Sequence, residues 1–166
     1  MADRKSTDFS KAKDLASRSG GMLAIDRLAG SEIACRVHIP TARNETFPGI
    51  RQETSRILLQ LPPRYPFEKP QVLFQTPIWN PNVFAGGRLC YGDWKVMEFL
   101  DLFLIRLMKI VALDPSIINL NSPANASAAI WYRSTLRAQP ELFPTRQIES
   151  LIRGDARPEI QWRNIS

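Results

Sequence analysis

Histidine and cysteine are nearly missing from this chain of 166 residues, which holds one of the first and two of the second. Two thiols, Cys35 and Cys90, cannot build a disulfide framework, and with His38 as the single imidazole no His/Cys spacing suits a metal. No metal or other cofactor is expected, and in a reducing compartment both thiols stay free. A long hydrophobic run is missing as well. The most apolar stretch, residues 96–113, is broken by Glu98, Asp101, Arg106 and Lys109, charges too costly for a bilayer core. It reads as a buried helix, and no membrane partner is expected. Residues 1–10 lack the apolar segment of a secretory signal, so the expected compartment is the cytoplasm. Repeats and low-complexity tracts are absent too.

What is present describes an ordinary folded chain. A hydrophobic content of 44% and a charged content of 23% predict one globular domain over 1–166, with a core at about 8–140 and a C-terminal helix and tail over 141–166. The net charge of +6 suits an acidic partner. Its basic residues are scattered without aromatic interleaving, so nucleic acid is not an expected partner.

Residues 7–20 predict a short helix: Phe9, Ala12 and Ala16 recur at helical spacing, Thr7 or Asp8 can cap the start, and Gly20-Gly21 ends it. A first strand is expected at 22–27. Over 32–39 Ile33, Cys35, Val37 and Ile39 alternate with polar residues, and over 56–61 Ile57, Leu59 and Leu61 do the same. With a further strand at 71–75, these short segments predict an antiparallel meander of four strands.

Prolines at 62, 63, 66, 70, 77 and 81 force extended or turning backbone around that last strand. Residues 77–93 then form a loop whose Trp79, Val83, Phe84 and Leu89 are too apolar for a free linker. It is predicted to pack on the core and to be functional. A central helix follows at 97–113. Ser122 before Pro123 predicts a capped start for a helix at 124–138, and a last helix at 145–152 ends at Gly154, with a tail at 159–166. Trp131, Tyr132 and Phe143 are read as core residues. The fold class is therefore α+β.

The segment Leu61-Pro62-Pro63-Arg64-Tyr65-Pro66-Phe67-Glu68-Lys69-Pro70, followed by Val72 and Phe74, then Asn80-Pro81-Asn82, then Cys90 eight residues after Asn82, resembles the core of ubiquitin-conjugating enzymes. Gly87 and Leu89 stand where that family has a glycine and an aliphatic residue. The resemblance covers roughly 8–132 and is strongest over 57–94. It implies the ubiquitin-conjugating fold: an N-terminal helix, the four-stranded meander, an ordered active-site loop, a central helix and C-terminal helices.

The same resemblance implies the chemistry. Cys90 would take a ubiquitin-like modifier from an activating enzyme as a thioester and pass it to an amine, expected to be lysine, on a target protein. Asn82 would donate to the oxyanion of the transfer step or brace the loop. Asn80 and Pro81 would support the turn, with Asn80 in place of the family's usual histidine. Asn121 and Ser122 would stand at the acceptor gate, where many members carry an acidic residue, leaving lysine activation mainly to desolvation. Lys11 and Lys13 would mark docking of the activating enzyme. Phe67 is either a core plug or an exposed ligase contact, and Lys95 opens a Lys-Val-Met stretch where many members have the Ser-Pro-Ala contact for ligases, so whether a ligase is used is left open. The segment between Cys90 and Trp94 is shorter than in most members. These departures look more like the conjugating enzymes of bacterial ubiquitin-like operons, which suggests antiviral defence. The alternative reading is a catalytically silent variant that binds a modifier as a scaffold; such variants typically lack the cysteine that this chain keeps.

Overall fold

The computed structural model describes residues 3–143 and 146–152. Helix α1, Arg4–Arg18, starts earlier than expected, because Asp3 accepts the Ser6 N–H at 2.7 Å and is the cap in place of Thr7 or Asp8. That hydrogen bond holds the Asp3 carboxyl below its ordinary range. Asp8 is on the buried face instead, and the helix closes at Ser19 before Gly20 and Gly21, both at positive φ.

The four strands, β1 Leu23–Ala29, β2 Glu32–Val37, β3 Ser55–Gln60 and β4 Gln71–Phe74, form one antiparallel meander in chain order. Alternation decides which face is buried. Ile33, Cys35 and Val37 of β2 and Ile57 and Leu59 of β3 are at most 1% exposed and line the inner face. β2 stops two residues before the expected end, since Pro40 has no N–H to give a ladder and the residues before it turn away.

Helix α2, Leu100–Val111, crosses the inner face, burying Phe103, Leu104, Leu107 and Met108. It begins three residues later than the expected 97. Met97 is 79% exposed in a turn closed by Glu98 N–H to Lys95 O, and Phe99 is extended. Helix α3, Ala126–Ala138, is capped by Asn125, whose side chain accepts the Ala128 N–H at 3.0 Å. Ser122 is therefore not its cap, and Pro123 lies outside it. A short 3-10 turn, Pro140–Leu142, leads to α4, Arg146–Ile152; Thr145, Gly154 and the tail expected at 159–166 lie outside the described residues. Tyr132 and Phe143 are buried with Phe47 and Leu113 in a second, smaller cluster against which Trp131 packs half-buried. Among the described residues no helix is long and apolar enough to cross a membrane.

Candidate functional site

The site is built on the turn at Asn80-Pro81-Asn82. Asn80 is fully buried: its carbonyl oxygen accepts the Asn82 N–H at 2.9 Å and its amide donates to Ile110 O at 2.8 Å. One side chain thus folds the turn and ties it to the end of α2, a task that needs an acceptor and a donor together. Asn82, 4% exposed, donates to Ile117 O at 3.2 Å and accepts the Asn119 N–H at 2.8 Å. Pro81 supplies a carbonyl that accepts from Ala124 and Asn125. The turn is therefore sewn to the loop between α2 and α3. Of the two roles expected for Asn82, bracing is the one its hydrogen bonds perform.

From this turn the chain runs out and back. Val83 bridges Leu89, Leu73 of β4 bridges Arg88, and Leu89 N–H donates to Val72 O at 3.0 Å. Gly87 permits the close return: it has φ +96°, and a Cβ there would lie 2.5 Å from the Phe74 carbonyl oxygen. Leu89 points inward and is buried, and the alternation turns Cys90 outward to solvent. Cys90 N–H donates to Asn82 O at 2.8 Å, so the main chain that bears the thiol is tied to the braced turn.

The two thiols have opposite settings. Cys35 is 1% exposed in the sheet, and burial pushes its pKa up to about 12, with the Asp26 charge adding to it. Cys90 is open to solvent. His38, just after β2, bonds Thr54, just before β3, at 3.0 Å, so the single imidazole has its own partner there.

The segment after Cys90 is held by side chains. Tyr91 hydroxyl donates to Pro70 O, and the Trp94 indole N–H donates to Pro66 O at 2.7 Å, which brings the Tyr65-Pro66-Phe67 turn beside it. Burial raises the Tyr91 and Tyr65 hydroxyl pKa values. Arg106 of α2 donates to Tyr91 O and Asp93 O at 3.2 and 3.3 Å and pairs with Glu98 at 2.8 Å.

The structure brings together Asn80, Pro81, Asn82 and Cys90, with Asn121 and Ser122 joined to them through a residue the sequence did not single out. Asn119 accepts the N–H groups of Asn121 and Ser122 on its side-chain oxygen at 3.1 and 3.0 Å, donates to Ser122 O, and gives its own N–H to Asn82. The available signal was a run of asparagines at 119, 121 and 125 around Pro123, typical of side chains that fold a loop onto its own backbone. Asp114 is buried, and one of its carboxylate oxygens accepts the Ser116 N–H at 2.9 Å.

The remaining residues lie elsewhere. Phe67 is 72% exposed, which removes the core-plug alternative. Lys95 lines an open groove of about 500 Å³ with Asp93, Met97, Glu98, Leu102 and Arg106. Lys11 and Lys13 do not share a surface: the Lys11 ammonium lies 5.1 Å over the Phe99 ring, whereas Lys13 borders Ile25–Leu28 of β1.

A sequence model of the family described as "Ubiquitin-conjugating enzyme" matches residues 49–142, more than half of the chain. The protein named Ubiquitin-conjugating enzyme E2-34 kDa of Saccharomyces cerevisiae is 33% identical over 104 residues, covering 53% of this chain and 32% of that protein. Ubiquitin-conjugating enzyme E2 of African swine fever virus is 33% identical over 84 residues, covering 43% of this chain and 37% of that protein. The matched part of the chain thus spans about a third of the length of these two curated relatives, 32% and 37%. The solved structure of human Ubiquitin-conjugating enzyme E2 G1 is similar in fold, with a TM-score of 0.51 at 18% identity over 66% of this chain and 93% of that one.

Proposed function

Since the chain belongs to the ubiquitin-conjugating enzyme family, we propose that it carries a ubiquitin-like modifier as a thioester on Cys90 and transfers it to an amine of a target protein, expected to be lysine. The observation that carries this reading is the exposed thiol whose N–H is anchored on the carbonyl of buried Asn82. The Cys90 thiolate attacks the thioester carbonyl presented by an activating enzyme and expels that enzyme's thiolate. A neutral amine then attacks the same carbonyl, the Cys90 thiolate leaves, and the amine gives up its proton to solvent, forming an amide.

In this mechanism Asn82 keeps the thiol-bearing segment in place, and its second amide hydrogen is the one left to face the oxyanion. Asn119, Asn121 and Ser122 form a neutral polar wall, so the amine is selected by position and desolvation without a carboxylate to attract its charged form. Phe67 and Lys95 are proposed as partner contacts, since the exposed ring stands in a turn bonded to Trp94, next to Lys95. Lys11, on the same side as Phe99, is a better candidate for docking of the activating enzyme than Lys13, and the whole chain, 1–166, is read as one domain. A cytoplasmic place in a bacterial ubiquitin-like pathway with an antiviral role extends this reading. It is supported by three departures, Asn80 for the usual histidine, the short segment between Cys90 and Trp94, and Lys95-Val96-Met97, and is tested by whether genes for an activating enzyme, a modifier and a deconjugating protease adjoin the coding sequence.

The test of the function itself is incubation with activating enzyme, modifier and ATP. A reductant-sensitive adduct that Cys90→Ala removes and Cys90→Ser turns into a reductant-stable one supports it. An adduct unchanged in Cys90→Ala overturns it.

A further inference from the structure

Among the described residues, segment 91–94 makes no backbone-to-backbone hydrogen bond: the ladder ends with Cys90 N–H on Asn82 O and resumes with Glu98 N–H on Lys95 O. Within it Gly92 sits at φ +74° with nothing within 4 Å of a built Cβ, so the main chain there has a ready pivot. Side chains must fix what the backbone does not. One of them, Arg106, reaches two carbonyls on either side of the pivot, Tyr91 O at 3.2 Å and Asp93 O at 3.3 Å. Its guanidinium also lies 5.9 Å from the ring centroids of Tyr91 and Phe103.

The arginine is itself held. Glu98 meets it with both carboxylate oxygens at 2.8 and 3.0 Å, and these side chains are 29% and 11% exposed. Glu98 is in turn fixed from the first helix, because Arg4 donates to its carbonyl at 2.6 Å and also to the carbonyl of Val96. A planar fork of donors locked by a carboxylate is the side chain suited to spanning two carbonyls at once; a lysine ammonium can keep the ion pair but cannot hold that spread geometry.

We propose that Arg106 is a positioning residue for Cys90: it clamps the carbonyls of Tyr91 and Asp93 across the Gly92 pivot and so sets the direction in which the neighbouring thiol, and the acyl group on it, face the acceptor. The catalytic part of this inference rests on the proposed thioester role of Cys90. The groove beside the clamp, lined by Asp93, Lys95, Met97, Glu98, Leu102 and Arg106, is the space into which the segment relaxes when released.

The experiment uses the full chain and Arg106→Lys, which keeps the charge opposite Glu98, with Arg106→Met as a second variant and thermal melting as the control of folding. Two readouts are taken. Amide order parameters of Tyr91, Gly92 and Asp93 are expected near 0.85 in the parent and below about 0.6 in Arg106→Lys. With protein charged by activating enzyme, the rate of discharge to free lysine is expected to fall about tenfold or more, with the charging KM unchanged. An order parameter that stays high in both variants overturns the proposal, as does a loosened segment with an unaltered discharge rate. Failure of the parent to become charged counts against the proposed function instead, and the order parameters still decide whether Arg106 holds the segment.

Discussion

The carboxylate of Asp8 on α1 accepts the main-chain N–H of Leu100 at 2.9 Å, so the first helix supplies the cap that α2 lacks from its own sequence. The same buried carboxylate accepts from Arg4 at 2.7 Å and from the Tyr65 hydroxyl. Three parts of the chain, the first helix, the Tyr-Pro-Phe turn and the start of the central helix, therefore meet on one side chain.

Asp8→Ala leaves those three donors without their acceptor in a buried place. The expected loss is about 3 kcal/mol, which lowers the melting temperature by roughly 6–12 K for a domain of this size. Calorimetry checks it. A shift under 2 K would show that solvent replaces the carboxylate.

The alternation of β2 and β3 was legible in the sequence because burial on one face of a strand writes itself every second residue, as Ile33, Cys35 and Val37 show. The resemblance, through the eight-residue step from Asn82, pointed to Cys90, and the fold sets that residue exposed with its N–H on Asn82 O. Helix starts were less legible. Asp8 looked like a local cap, yet its partner is 92 residues away. Ser122 and Asn125 are both cap chemistry; Asn125 is the cap, its side chain accepting the Ala128 N–H while its own N–H is tied to Pro81 O. Asn119 and Arg106 were invisible as site residues for the same reason: each acts on carbonyls or amides brought near by the fold, and Asn82 lies 37 residues from Asn119. Arg106 registered only as a charge that interrupts an apolar helix.

Asn82→Ala removes a side chain whose both ends are paired, leaving the Asn119 N–H and the Ile117 carbonyl without partners. Each orphaned group costs roughly 1–3 kcal/mol. Urea unfolding should show that loss, and discharge of a charged protein to lysine should slow by about a hundredfold or more if the remaining amide hydrogen also meets the oxyanion. Asn82→Asp, which can still accept from Asn119, should recover part of the stability but not the rate. Equal rates in all three proteins would contradict the role given to this turn.

Gly87→Ala forces a Cβ against the Phe74 carbonyl oxygen at φ +96°, whereas Gly86→Ala meets nothing within 4 Å. The first should cost about 2 kcal/mol or more and the second less than about 0.5 kcal/mol. Paired denaturation curves of the two variants test this, and equal midpoints would mean that the return segment before Cys90 is not held as described.

The thiol of Cys35, with its pKa raised to about 12 from 9.0, and the raised hydroxyls of Tyr65, Tyr91 and Tyr132 are held protonated in the folded chain. Once pH exceeds about 9 the unfolded chain binds fewer protons than the folded one, so stability falls as pH rises toward about 12. Below pH 9 these groups leave stability flat. Urea midpoints at pH 8, 9.5 and 10.5 should decline in that order. In the same pH range iodoacetamide should label Cys90 and spare Cys35, and labelling of both at equal rates would contradict the burial assigned to Cys35.

On the proposed function, the sulfur of Cys90 is the atom that bears the modifier. Intact-protein and peptide mass spectrometry of the product formed with activating enzyme, modifier and ATP locates it directly. A single added modifier is expected, its terminal carbonyl joined to the sulfur of Cys90 and released by thiol reductant. A modifier found only on other side chains, with Cys90 free for alkylation throughout the reaction, would contradict it.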